Sequence, residues 1–194
     1  MKKLIVIFSL LWMVQAVSAS PLEDLKITVN QILSILKSKK SIAQKRKQIS
    51  DIYRQKFDHR GLALVTLKRD WKYTLKKEAD RKAFVKKYSD FILAFYLSKI
   101  GKFQNNKVVF QGETIKRKGK KAIVHTLMET NEHKMAKVDY FLAKRGNTWK
   151  VYDVEIEGIR ISSTYRNQFV PILKKKGIEG LLSTLDKLIR KYKK

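Results

Sequence analysis

The chain reads as an α+β fold in which N-terminal helices precede an antiparallel meander sheet of four or more strands and further helices close the chain. Three observations carry this. Apolar residues recur at helical spacing as far as Tyr96, and after Gly101 the period changes to alternation. The breaks between the alternating segments contain only Lys118-Gly119, Asn131 and Arg145-Gly146-Asn147, short enough for hairpins and too short for the crossovers a parallel sheet needs.

At the N-terminus, Met1-Lys2-Lys3 precedes the apolar run Leu4–Val14, and Val17-Ser18-Ala19 supplies small residues before a cleavage point. This is the pattern of a secretory signal peptide over residues 1–19, leaving residues 20–194 as one domain. The run is well short of the roughly 20 apolar residues that span a bilayer. Cysteine is absent, which excludes disulfides, thiolate chemistry and cysteine-ligated metal. The formal charge of +27 calls for an anionic partner. For an exported chain that means lipid headgroups or acidic proteins, and no nucleic acid.

Leu22, Leu25, Val29, Ile32, Leu33 and Leu36 form the stripe of a first amphipathic helix behind Pro21. Ser41 is placed to cap a second, with Ile49, Ile52, Tyr53 and Phe57 near one face and Lys45, Arg46 and Lys47 as a solvated face. Arg60 to Leu67 and Trp71 follow. Thr74 is read as opening a long helix whose Phe84, Tyr88, Phe91 and Phe95 fall at spacings of four, three and four, with Tyr96 widening the face. Such a stripe is read first as packed core and second as a cavity wall.

The alternating segments run at about Lys107 to Arg117, Lys120 to Thr130, Lys134 to Lys144 and Asn147 to Ile156. Ala136, Val138, Tyr140 and Leu142 mark the clearest apolar face. Strict alternation in the last segment puts Trp149, Val151, Asp153 and Glu155 on one side and Tyr152, Val154 and Ile156 on the other. Gly158 ends the strand as a residue free to take positive φ, and Ser162 or Ser163 is placed to cap a helix carrying Tyr165, Phe169 and Ile172. Pro171 predicts a kink or a new turn, and Gly177 a helix stop before Leu181, Leu185 and Leu188.

The stretch Trp149 to Phe169 resembles the signature of the MlaC-type family, the toluene-tolerance or ABC transporter auxiliary proteins of Gram-negative bacteria. That pattern reads roughly W-x-V-Y-D-V-x-x-x-G-x-x-x-x-x-x-Y-R-x-Q-F, met here by Trp149, Val151, Tyr152, Asp153, Val154, Gly158, Tyr165, Arg166, Gln168 and Phe169. Phe57-Asp58, a short small-residue helix, Trp71 and a long aromatic-rich helix match the family's first half. The resemblance implies a periplasmic carrier with a fold similar to the nuclear-transport-factor-like cone, holding the acyl chains of a glycerophospholipid cargo in a hydrophobic cavity between sheet and helices.

It implies as partners an inner-membrane ABC transporter complex with a lipid-binding ring subunit and an outer-membrane lipoprotein–porin complex, serving outer-membrane lipid asymmetry, with the carrier a monomer. Carried over residue by residue, it marks Tyr152, Val154, Tyr165 and Phe169 as lipid-binding, and periodicity adds Ile156, Ile159 and Ile161. Phe91, Phe95, Tyr96, Val138 and Tyr140 complete the candidate set. Trp149, Asp153, Gly158 and Arg166 form a structural signature. Many members have a serine two residues after the glycine where this chain has Arg160, which puts a charged group at or near the cavity mouth.

No catalytic residue, metal ligand set or cofactor is expected. His59, His125 and His133 are scattered. Asp153, Glu155 and Glu157, spaced by two, invite an acid–base reading, although such a row more often pairs with neighbouring Lys and Arg. The alternative to a carrier is an exported cone-fold enzyme using a cavity carboxylate or histidine, which rests on architecture alone.

Overall fold

The computed structural model describes residues 19–99, 107–130 and 132–193. The expectations placed on Met1–Ser18, Gly101 and Asn131 lie outside the described residues. The fold is α+β: helices α1 (Pro21–Lys37), α2 (Ile42–Lys56), α3 (His59–Leu67), α4 (Arg69–Tyr73) and α5 (Glu78–Leu97) precede the sheet, and α6 (Ile161–Lys193) follows it. The strands β1 (Val108–Lys116), β2 (Lys121–Glu129), β3 (Met135–Arg145), β4 (Thr148–Ile156) and β5 (Ile159–Arg160) pair in sequence order, all antiparallel. The expected meander thus gains a short fifth strand, turned back through Glu157 and Gly158 at φ 48° and 78°.

Helix ends follow side-chain chemistry. The Ser20 hydroxyl accepts from the Glu23 amide, and Ser41 with Gln44 forms a reciprocal capping box. Lys45 departs from the solvated face expected of it: it is buried, and its ammonium donates at 2.7 Å to the Leu36 carbonyl, satisfying a group that the end of α1 leaves open. Thr74 does not open a helix. It follows α4 and its hydroxyl donates to Asp70, while α5 starts at Glu78 behind Lys77, without a side-chain cap.

Two register shifts shape the sheet. In β1, Phe110 faces Thr126 and Gly112 faces His125, so Gln111 is extra, and Gly112 sits at φ 132°. In β4, Val151 faces Leu142 and Asp153 faces Phe141, leaving Tyr152 without a partner. The alternation therefore restarts after Tyr152, and Val154 and Ile156 join the face of Trp149 and Val151, where strict alternation sets them opposite.

The core has two centres. One is helical and aromatic, built from Phe84, Tyr88 and Phe91 of α5, Phe169 and Leu173 of α6, and Leu62 and Leu67 of α3. The other joins Leu25 and Val29 of α1 to Ala122, Val124, Leu142, Trp149 and Val151 on the sheet. Pro171 lies within α6 without breaking it. The break comes at Gly177, at φ 65° and ψ −172°, where the helix kinks and resumes rather than stopping.

Candidate functional site

Where the two centres meet, the packing leaves an apolar cavity of about 260 Å³ that takes wall residues from both. Helix α1 supplies Val29, Ile32, Leu33 and Leu36, the i, i+3, i+4, i+7 stripe that gave the helix its amphipathic signature. Ile49 and Tyr53 of α2 and Leu62 of α3 continue the wall, and Ile92, Leu93, Tyr96 and Leu97 close it from the end of α5. The sheet contributes Val108, Met128, Val138, Tyr140, Val154 and Ile156, with Tyr152 and Asp153 beside the bulge and Ile161 where α6 begins. An apolar cavity of about 150 Å³ already stays dry and accepts an apolar guest, and this one is larger.

The few polar groups on the wall are held neutral or satisfied. Burial pushes the Tyr140 phenol up to about 12 and drives that of Tyr53 higher still, so both remain protonated. The Tyr53 hydroxyl donates to the Ser89 carbonyl. Asp153 is 2% exposed, and burial raises its pKa against the opposing pull of its hydrogen bonds. Its carboxylate accepts from the Ser162 hydroxyl at 2.6 Å and the Ser162 amide at 3.2 Å. Ser162 therefore does not cap α6 through its own oxygen: the strand carboxylate receives the first turn of the helix, in accord with the preference of helix N-termini for negative charge.

Of the candidate lipid-binding residues, Tyr152, Val154, Ile156, Ile161, Tyr96, Val138 and Tyr140 are brought together on the wall. Phe91, Phe95, Tyr165 and Phe169 are not: they pack between α5 and α6, with Phe91 to Tyr165 ring centroids 5.0 Å apart and Tyr88 to Phe169 5.4 Å apart. Ile159 is 66% exposed in the two-residue β5. Of the signature residues, Trp149 is core, Gly158 forms the β4–β5 turn at φ 78°, and Arg166 donates to the Val65 and Thr66 carbonyls at the end of α3. Arg160 is not a wall residue. It lies 3.8 Å over the Phe141 ring and pairs with Glu155 at 3.0 Å.

The acidic row also disperses: Asp153 is buried, Glu155 holds Arg160, and Glu157 accepts from the Lys137 amide. Among the described residues no group of three metal-ligating side chains converges. One hydrogen-bonded line had no signal in sequence, because its members come from three strands. His125 contacts Thr114 Oγ1 at 3.0 Å through Nε2 and Asp139 Oδ1 at 2.9 Å through Nδ1. None of the three lines the cavity, and Lys137 stands 3.4 Å from the same Asp139.

Comparison with known proteins agrees with this fold. No curated protein matches the sequence. Among solved structures, the chain is similar to a phospholipid-binding protein from Ralstonia solanacearum determined in complex with a phospholipid, at 22% identity and a TM-score of 0.78 over 91% of this chain and 100% of that one. The family model described as MlaC protein matches residues 26–187, spanning all five strands, the cavity wall and most of α6, and the chain belongs to that family.

Proposed function

We propose that this protein is a non-enzymatic periplasmic phospholipid carrier. Cleaved after a signal peptide of residues 1–19, residues 20–194 form one lipid-binding domain that takes the acyl chains of a glycerophospholipid into the cavity and leaves the headgroup in water. The observation that carries this reading is the cavity itself, apolar on the helix side and the sheet side and furnished with protonated phenols and one satisfied carboxyl group. Membership of the MlaC family and the likeness to a phospholipid-bound structure support it.

The need for such a carrier is thermodynamic. At about 0.8 kcal/mol per methylene, two chains of about 14 methylenes cost about 22 kcal/mol to expose to water, which makes spontaneous transfer very slow. A carrier need only match the membrane interior, and it requires no reacting group. The monomer then shuttles its cargo between an inner-membrane ABC transporter complex with a lipid-binding ring and an outer-membrane lipoprotein–porin complex, sustaining outer-membrane lipid asymmetry.

Native mass spectrometry of the purified mature protein tests the reading. Co-purified diacyl lipid released at one per chain is the expected result. A lipid-free protein that neither takes up phospholipid from vesicles nor delivers it to acceptor vesicles would overturn it.

A further inference from the structure

The opposite end of the sheet holds a second cleft of different chemistry. The turns joining β1 to β2 and β3 to β4 lie side by side there, and between them Arg117, Lys120, Lys121, Lys144 and Arg145 line a cleft of about 420 Å³. Its lining shares no residue with that of the apolar cavity, and the two adjoin at Tyr152, a wall residue whose ring lies 4.4 Å beneath the Lys121 ammonium. On β3 the cavity takes Val138 and Tyr140 and the cleft takes Ala143 to Arg145, beginning about 10 Å further along the strand at roughly 3.3 Å per residue.

Among the described residues five cations line the cleft and one carboxylate, Asp58, pairs with one of them. Asp58 accepts from Arg145 through Nε at 2.8 Å and through one terminal nitrogen, leaving the other terminal nitrogen of the guanidinium for a guest. Among the described residues, Arg117, Lys120, Lys121 and Lys144 have no ion-pair partner within 4 Å. The crowding registers on Lys121, whose ammonium is held below the usual lysine range by burial and then by the positive charges of Arg117 and Arg145.

The backbone concentrates this charge at a cost. The β1–β2 turn places Arg117 and Lys118 at φ 51° and 52°, ahead of Gly119 at 78°. Type I′ hairpin turns favour Asn or Asp in such positions, and here they carry long cations instead. Gly146 lines the cleft, and neither it nor Gly119 in the neighbouring turn has a side chain to hold a ligand off the backbone.

We propose that this cleft is a binding site for a phosphate-bearing polyanion of the diphosphate class, free or displayed on a lipid headgroup, with a lining distinct from that of the apolar cavity. Four cations without an ion-pair partner within 4 Å match more than one phosphate charge, and the arginine forks suit phosphate oxygens better than point charges do.

Isothermal titration of the mature protein with inorganic pyrophosphate tests this, beside sedimentation with vesicles containing cardiolipin, whose headgroup carries two phosphates, and phosphatidylcholine controls. The Arg117→Gln/Lys120→Gln/Lys144→Gln variant is expected to bind pyrophosphate at least tenfold more weakly while retaining its lipid. A Lys174→Gln/Lys175→Gln/Lys176→Gln variant, which removes the same charge from the exposed face of α6, is expected to leave binding unchanged. Amide shifts of Gly119 and Gly146 on titrating the wild-type protein provide a readout that needs no variant. Cleft-dependent vesicle binding assigns the phosphates to a headgroup, and binding of pyrophosphate alone assigns them to a free polyanion. No pyrophosphate binding, equal weakening in both variants, or shifts that bypass both turns would each overturn the proposal.

Discussion

At the scale of single residues, Asp58 carries the most structure per atom. Its Oδ1 accepts from the Gly61 amide at 2.9 Å, capping α3, while Oδ2 receives Arg145 from the β3–β4 turn. A Cβ at Gly61 would stand 2.4 Å from that Oδ2 and 3.0 Å from the Tyr152 Cβ. The carboxylate is pinned from both sides, so Gly61→Ala is expected to cost roughly 1–3 kcal/mol in urea unfolding. Unchanged stability would mean that Asp58 can swing aside. The Phe57-Asp58 pair was legible in sequence, but a partner 87 residues away was not, because nothing local to Asp58 selects Arg145 over the chain's many other cations. His59 supplies a pH dependence. Burial holds its imidazole below the usual histidine range, despite the proximity of Asp58 and with Arg54 and Lys150 opposing the proton. The folded state thus binds that proton more weakly than the unfolded chain, so stability is full above a pH of about 6.5 and falls as the pH drops below it, by at most about 1.4 kcal/mol per pH unit. Asp153, raised by burial, works in the other direction further into acid, since its protonation favours the folded state. Melting curves between pH 7 and 5.5 are expected to slope more steeply for the wild type than for His59→Gln, and parallel slopes would remove His59 from the account.

At the scale of elements, core and cavity wall separate in a way the sequence leaves open. The aromatic stripe of α5 has one period and two destinations: Phe84, Tyr88 and Phe91 enter the core with Phe169, while Ile92 and Tyr96, a little further round the helix, reach the cavity. Periodicity identifies a buried face and is silent on what lies opposite it. Two substitutions distinguish the destinations. Phe169→Ala is expected to lose about 3–5 kcal/mol in unfolding, whereas Ile156→Asp, at a site 38% exposed, is expected to keep the fold and lose retained phospholipid because an unpaired charge enters the apolar wall. Lipid retention in a folded Ile156→Asp protein would take that residue off the wall. The same contrast explains the misplaced strand face. A bulge at Tyr152 has no glycine or proline to announce it, and one extra residue is enough to carry Val154 and Ile156 across the sheet. The stripe of α1 was legible as amphipathic, yet its role as a cavity wall depends on contact with strands more than 70 residues later in the chain.

At the scale of the whole molecule, apolar burial and surface charge are separable. The formal charge of +27 is spread over clusters such as Lys174 to Lys176 and Arg190 to Lys193 as well as the sheet-end cleft. Surface attraction is screened over about 8 Å at physiological ionic strength, whereas acyl burial is insensitive to moderate salt. Rising salt is therefore expected to slow association with anionic vesicles without stripping bound lipid. A salt-independent association rate in stopped-flow measurements would leave the basic excess a matter of solubility. The bulge at Gly112 bears on a separate hazard. β1 is the outer strand of an open sheet, and Val109 and Ile115 are each 50% exposed along it. A regular strand of that composition offers its unpaired amides and carbonyls as a template for the next copy. Here the extra Gln111 interrupts the row, and Glu113 turns inward to accept the Leu22 amide of α1 at 2.6 Å. Deleting Gln111 to restore a flat strand is expected to increase light scattering on concentration, and unchanged scattering would deny the bulge this part. By this device a half-exposed apolar edge is expected to resist polymerising into ribbons, each copy staying apart from the next.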